Sequence, residues 1–350
     1  MLTLARERKG FTQSELAEMV GISQSLISKY ELGVKEPTDA VLETMASKLD
    51  VLPSFFDLPD KRYPFGSSCT YHRRQQSLQA GQLAKLLANV NTLRVHVGQL
   101  SRSIEIESDT AVPRLDIEDY EGDIREIASV ARKAMRVPKG PVTNLTKTLE
   151  SAGVVVYRKQ FETRKLDAIS QWIPPLPPVF MVNEDAPVDR QRFTLAHELG
   201  HLVMHQSPTD DMEAQADRFA AEFLMPVEDI RRDLEGLRAD RLHSLKLSWR
   251  VSMAALIRRA RDLDCITDAQ YTAMNKMLSV KGYRKGEPPI LWPEEPSLYR
   301  NLLEIHMTEL GYSAQELSDL LHITGDEMFR CYGVGRPKLQ VVTGGSRSIA

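Results

Sequence analysis

Between Leu2 and about Leu52, apolar residues recur every three or four positions in short runs broken by Gly10, Gly21, Gly33 and Pro37, which predicts four or five short helices in one compact unit. Pro53, Pro59 and Pro64 then lead through Gly66-Ser67-Ser68, so residues 57–76 read as a linker. A long apolar-periodic stretch over 78–106 predicts a single extended helix. Two more helical patterns follow, over 117–135 and 144–152, the second ending at Gly153, a favourable C-cap residue. The period then shortens. Val154-Val155-Val156-Tyr157, residues 167–172 and Val179-Phe180-Met181-Val182 read as strands of a small, mostly antiparallel sheet. Helical spacing returns over 188–278, a proline-rich hinge (Pro288, Pro289, Pro293, Pro296) precedes a last helical segment over 298–331, and residues 333–350 are expected to be disordered.

This pattern gives an α+β protein: an all-helical N-terminal domain (1–56), a linker and long basic helix (57–110), a central domain with the small sheet (111–287) and a helical C-terminal region (288–332). A length of 350 residues with 42% hydrophobic residues supports two or three domains with real cores. No apolar run approaches the roughly 20 residues of a membrane span, and Met1 to Lys9 is charged without an apolar core behind it, so a cytoplasmic protein with no membrane partner is expected. Cys69, Cys265 and Cys331 are odd in number and widely spaced, which argues against disulfides and cysteine-zinc sites. The net charge is −3, yet Lys61, Arg62, Arg73, Arg74, Lys85, Arg94 and Arg102 stand in a stretch with no acid at all. That run reads either as a solvated connector or as an electrostatic footprint for DNA or an acidic partner.

Residues 10–23 recur in character at 311–324, from Gly10-Phe11-Thr12 against Gly311-Tyr312-Ser313 to Ile22-Ser23 against Ile323-Thr324. Any helix–turn–helix corner with a Ser or Thr cap gives such an echo. The second copy lacks the basic, glycine-terminated segment that follows the first, so no function is assigned to it.

The sharpest chemistry lies at His197-Glu198-Leu199-Gly200-His201. On a helix, residues four apart share a face, so two imidazoles reach one ion while the glutamate beside the first faces the attacking water. Phe193, Leu195, Ala196, Leu199, Leu202 and Val203 supply an apolar opposite face. A catalytic zinc needs a third protein ligand and an open position. Glu213, on the next predicted helix, is the third ligand of choice, and Asp217 one turn later is placed to accept the second ring N–H of a zinc-bound histidine. His205 reads as a capping or supporting residue and Glu222 as a surface one. The cofactor is expected to be zinc, with manganese as the alternative divalent ion. Zinc polarises a scissile carbonyl and lowers the pKa of water toward neutrality, and Glu198 takes a proton and passes it to the leaving amine, so peptide hydrolysis is the default reaction.

Residues 11–32 have the layout of a helix-turn-helix. Thr12 caps a helix with Glu15 three positions on, Gly21 makes the turn, and Ser23 caps the second helix. Gln24, Ser25, Ser28 and Lys29 would face a major groove and Gln13 would reach a phosphate. Residues 1–50 carry a formal charge of −2, which predicts weak DNA affinity.

Residues 6–33 resemble the repressor-type (Xre/Cro) helix-turn-helix family. Residues 191–226, with the AHELGH and FAAEFLMP segments, and residues 249–260 resemble the ImmA/IrrE metallopeptidases. The resemblance implies a zincin-like domain with a three-stranded sheet packed on helices, zinc on His197, His201 and Glu213, Glu198 as base, and a repressor as substrate, cut to derepress phage, mobile-element or stress genes. Partners are then a protein substrate, double-stranded DNA and a second copy of the chain. The family often has asparagine where this chain has Asp217. The competing function is a DNA-binding transcriptional regulator or antitoxin whose zinc domain senses or binds a partner without turnover. For a peptidase, residues 167–172 are the expected exposed edge strand on which an extended substrate would align.

Overall fold

The computed structural model describes residues 1–60, 63, 70–71, 79–205, 210–283 and 286–335. Four short helices open the chain: α1 (Leu2–Lys9), α2 (Gln13–Val20), α3 (Gln24–Glu31) and α4 (Asp39–Leu49), followed by a 3-10 turn at Pro53–Phe55. Gly10 and Gly21 end α1 and α2 in the left-handed conformation, with φ of 79° and 74°, which is why glycine stands there. Thr12 and Glu15 form the expected capping box on α2. Ser23 occupies the cap position of α3 but makes no capping hydrogen bond, its hydroxyl lying 3.0 Å from that of Ser25 instead.

The long helix is α5 (Ala80–Leu100), shorter at both ends than its apolar pattern suggested. Leu86, Val90, Leu93, Val97 and Leu100 recur at alternating spacings of four and three and are all buried. It is a central core helix and not a basic arm. Of its charged residues, Arg94 is buried against Asp60 and Lys85 bonds Glu162, so neither offers a DNA footprint. Lys61, Arg62, Arg73 and Arg74 lie outside the described residues. The 117–135 pattern is broken at Gly122, leaving a 3-10 turn and α6 (Ile124–Ala134), which Asp123 caps. Then come α7 (Leu145–Ser151), capped by Asn144, and the central run α8 (Val188–Met204), α9 (Met212–Leu224), α10 (Val227–Leu234), α11 (Leu242–Trp249), α12 (Met253–Asp262) and α13 (Asp268–Val280). The C-terminal helices are α14 (Leu298–Thr308), α15 (Ala314–Leu320) and α16 (Gly325–Tyr332). The expected disordered tail falls outside the described residues from 336 onward.

β1 (Thr70–Tyr71), β2 (Val155–Lys159), β3 (Ala168–Gln171) and β4 (Val179–Asn183) make a sheet in the order β1-β3-β4-β2. Two pairings are antiparallel and β2 with β4 is parallel. Strand alternation splits the sheet between two cores. Val154, Val156, Ala168, Phe180 and Val182 join α6 to α13 in one, while Val155, Ile169, Val179 and Met181 join α1 to α5 and α14 to α16 in the other. Burial on both faces explains why β4 is an unbroken apolar run.

The proline-rich segment 288–296 is a pinned strap rather than a hinge. Glu287 at its start bonds Lys246, and Glu294 near its end pairs with buried Arg192 and accepts the Thr146 N–H at 2.9 Å. Beyond it, α15 repeats the capping box of α2, with Ser313 and Glu316 in the roles of Thr12 and Glu15. Glu327 of α16 is buried against Arg8 at 2.9 Å and Lys9 at 3.0 Å, and Val51 bridges to Ile323, so the C-terminal copy braces the N-terminal domain. Among the described residues no helix is long and apolar enough to cross a membrane.

Candidate metal centre

α8 begins after Pro187 with Asp189 in its first turn, a favourable charge at a helix N-terminus, and runs its apolar face into the inner core. The opposite face carries His197, Glu198 and His201, all with no solvent exposure. α9 crosses close enough that a Cβ built on Gly200 would lie 3.0 Å from the Phe219 ring, so any larger residue there would make the ring or α9 give way. The approach brings Glu213, in the first turn of α9, over the two histidines.

Two histidine Nε2 atoms and the two Glu213 carboxylate oxygens converge. His197 Nε2 is 3.1 Å from His201 Nε2, and Glu213 oxygens lie 3.4 Å from the first and 3.3 Å from the second. A tetrahedral ion with bonds of about 2.0–2.1 Å sets its ligand atoms about 3.3–3.4 Å apart, so the spacing fits a zinc-sized cation. These three residues are the one potential metal-holding group of histidines, cysteines and acids found among the described residues.

The outer contacts fit the same use. His197 Nδ1 lies 2.8 Å from the Asp217 carboxylate, which takes its N–H and leaves Nε2 free to face the ion. His201 Nδ1 lies 2.9 Å from His205 Nδ1, and His205 Nε2 is 2.9 Å from Gln215 Oε1. One consistent proton arrangement runs outward: His201 donates to His205, which donates to Gln215, and both inner Nε2 atoms keep their lone pairs. His205 therefore supports the centre from behind, and Gln215 completes a chain that the sequence pattern did not reveal. Glu222 is no surface residue: it is buried, paired with Arg259, and accepts the Val227 N–H at 2.9 Å.

Electrostatics without a cation are correspondingly tense. Burial pulls His197 down, but hydrogen bonds to Asp217 and Glu213 outweigh it and raise its pKa to about 9. Burial dominates at His201, which is lowered, and at His205, which falls to about 4. Burial pushes Glu213 up, yet its hydrogen bonds with His197 and His201 hold it well below the usual carboxylate range.

Glu198 turns toward the sheet, where the Ser170 hydroxyl donates to its carboxylate at 2.5 Å. Ser170 is buried on the strand face shared with Ala168, so period-two alternation on a strand already recognised was the signal that could have found it. The edge reading of this strand fails. β1 pairs with β3, Tyr71 opposite Ser170 and Thr70 opposite Gln171, and covers the edge expected to be open. A two-residue strand leaves no periodic signal in the sequence, so only the tertiary pairing reveals it.

At the other end of the molecule, Gln24 donates to Gln13 at 2.6 Å and Gln13 donates to Glu31 at 2.8 Å, which locks α2 to α3. Gln24, Ser25 and Lys29 are exposed, while Ser28 and Gln13 are half-buried. Neither a curated protein nor a solved structure matches the chain. Family models do match it: residues 149–261 match the IrrE N-terminal-like domain of the Peptidase_M78 family, and residues 2–56 match a helix-turn-helix domain. The chain thus carries an N-terminal helix-turn-helix domain at 2–56 and, at 149–261, a domain similar to the IrrE N-terminal-like domain of Peptidase_M78.

Proposed function

We propose that this chain is a zinc-dependent endopeptidase that cuts a DNA-binding repressor, with His197, His201 and Glu213 holding the ion. The observation that carries the reading is the cluster of two fully buried imidazoles and the half-exposed Glu213 carboxylate, with Glu198 next to the first histidine on the same helix. A bound zinc would supply a Lewis acid for the scissile carbonyl and a water of near-neutral pKa. Glu198 takes a proton in the attack and returns it to the leaving amine, while the Ser170 hydroxyl fixes its carboxylate orientation. Asp217 and the His205–Gln215 pair hold the two imidazoles in the tautomer that faces the ion. On the DNA-binding side, Gln24, Ser25, Ser28 and Lys29 read bases, and Gln13 reaches a phosphate. With β1 lying along β3, a substrate strand can add to that edge only by displacing it.

The second reading, a regulator that senses a partner without turnover, draws on the shared core that ties the helix-turn-helix domain to the sheet. Glu198→Gln separates the two. Mass spectrometry of candidate repressors incubated with zinc-loaded protein should find discrete cuts with the parent chain and none with the variant. Intact repressors with both proteins would retire the peptidase reading.

A further inference from the structure

Between α6, α8, α9, α12 and α13 lies a cleft of about 1130 Å³. None of His197, His201 or Glu213 lines it, but Asp217 does, and that carboxylate holds His197 on its other side. Phe193, Met225 and Leu278 give the cleft an apolar wall. Its remaining groups are mostly carboxylates and guanidiniums, and they differ in how far they are engaged.

The carboxylates are committed to the protein. Asp123 caps α6, Asp189 and Glu287 share Lys246, Asp262 holds Arg258, and Glu222 is bonded to Arg259 and the Val227 N–H. Two guanidiniums are not. Arg218 is exposed and forms no ion pair among the described residues, and Arg125, its side chain 59% exposed, reaches the already engaged Glu222 only at 3.9 Å. Arg218 stands one helical turn before Glu222 on α9 and lines the same cleft as Arg125.

We propose that this cleft binds a small amphipathic organic anion, its phosphate or carboxylate head between Arg125 and Arg218 and its apolar body against Phe193, Met225 and Leu278. Convergent polar groups beside an apolar wall, in a volume near the upper end for small-molecule sites, are what such a ligand requires. An extended peptide fits less well, because no strand edge lines the cleft. The ligand would lie against the Asp217 wall and so bear on the orientation of His197. Binding is read without turnover, so the proposal stands or falls apart from the peptidase reading.

Calorimetry on the full, zinc-loaded chain would use 2-naphthyl phosphate, 2-naphthoate, inorganic phosphate and 2-naphthol as probes. At least one aromatic anion should bind about tenfold or more tighter than phosphate or naphthol, as a charge-assisted contact added to apolar burial implies. The tighter of the two names the head group. Arg125→Gln with Arg218→Gln should weaken it about tenfold or more, at unchanged zinc content and thermal midpoint. Ala254→Trp, at an exposed position lining the cleft, should block it, and the arginine pair decides the matter if that variant folds poorly. No binding of either aromatic anion at millimolar concentration overturns the proposal. So does binding that survives the arginine pair, or binding of an acidic peptide in place of both probes.

Discussion

The two faces of the sheet carry two kinds of packing. On the outer face, Val155, Ile169, Val179 and Met181 meet α1 to α5 and α14 to α16, and the charges there follow ordinary rules: Arg8 and Lys9 find Glu327, Arg6 finds Glu31 at 2.5 Å, and Thr12 and Ser313 cap their helices. On the inner face, α8 places two imidazoles and a carboxylate at zero exposure, with two histidine nitrogens 3.1 Å apart. Burying titratable groups costs stability, which their contacts with Asp217, Glu213, His205 and Ser170 offset in part. Such clusters are enriched at functional sites, and the contrast between faces makes α8 the first place to test.

The largest expected effect breaks the inner face chemically and leaves the outer untouched. Glu198→Gln should lower repressor cleavage about 10²- to 10⁴-fold, the span of one general acid–base group, with zinc content and DNA binding unchanged. Turnover at the parent rate would remove Glu198 from the reaction.

Glu327→Ala does the converse. It strands Arg8 among buried groups, a loss of about 3–5 kcal/mol for breaking a buried pair, while zinc bound per folded chain stays constant. Burial raises the Glu327 pKa, but Arg8 and Lys9 outweigh that and hold it below the ordinary value. Its contribution to stability is therefore present above the unfolded carboxylate range and lost as pH falls through the lower folded value. Denaturant titrations from neutral pH into acid should show the parent losing stability that the variant never had.

Metal affinity supplies a pH signature for the inner face. In chelator-treated protein the His197 pKa stands at about 9, so zinc must displace a proton below that pH. Apparent affinity should rise about tenfold per pH unit between 7 and 9 and flatten above. The sign for metal-free stability is opposite: the raised pKa stabilises fully below the unfolded value near 6.5 and fades as pH climbs through 9. A flat affinity profile would take His197 out of the ligand set.

Gly200→Ala tests the α8–α9 crossing. The added methyl would sit 3.0 Å from the Phe219 ring, so the ring and the α9 backbone that carries it should give by a few tenths of an ångström, at about 1–3 kcal/mol for overpacking. Because Glu213 rides on α9, zinc affinity should fall along with the thermal midpoint, whereas DNA binding should not. Unchanged affinity would show that Glu213 is not needed by the ion.

Much of the inner face was legible because its elements announce themselves locally. The helical spacing of α8 and α9, the HExxH pattern and the β-branched runs of β2 and β4 are all written within about 20 residues of sequence. What escaped depended on pairing at a distance. β1 is two residues long, Ser170 matters only once β3 lies over Glu198, and Gln215 only once His205 turns toward it. Counting charges misled at α5, where Arg94 is buried beside Asp60, and counting prolines misled at 288–296, where Glu294 pins the strap to Arg192. Ser23 sits at a cap position yet bonds Ser25, a choice between two local partners that composition cannot decide.

The smallest effect asks whether the outer face reads DNA at all. Gln24 stands exposed at the start of α3 with its amide on Gln13, whose own amide is held by Glu31, so its side chain is prepositioned rather than loose. A good bidentate contact between glutamine and adenine discriminates by about 1–3 kcal/mol, and the shallow salt dependence expected from a formal charge of −2 over residues 1–50 leaves such contacts to carry specificity. Gln24→Ala should therefore relax base preference at one position of each half-site and leave the salt slope alone, since glutamine neutralises no phosphate. Lys29→Ala should also relax preference at the base it faces, and because it removes a cation it should lower overall affinity and the salt slope as well. Anisotropy titrations of randomised duplexes at several salt concentrations separate the two. If both variants bind as the parent does, α3 is a protein-docking surface, and the outer face would then be a second place where the chain holds its substrate.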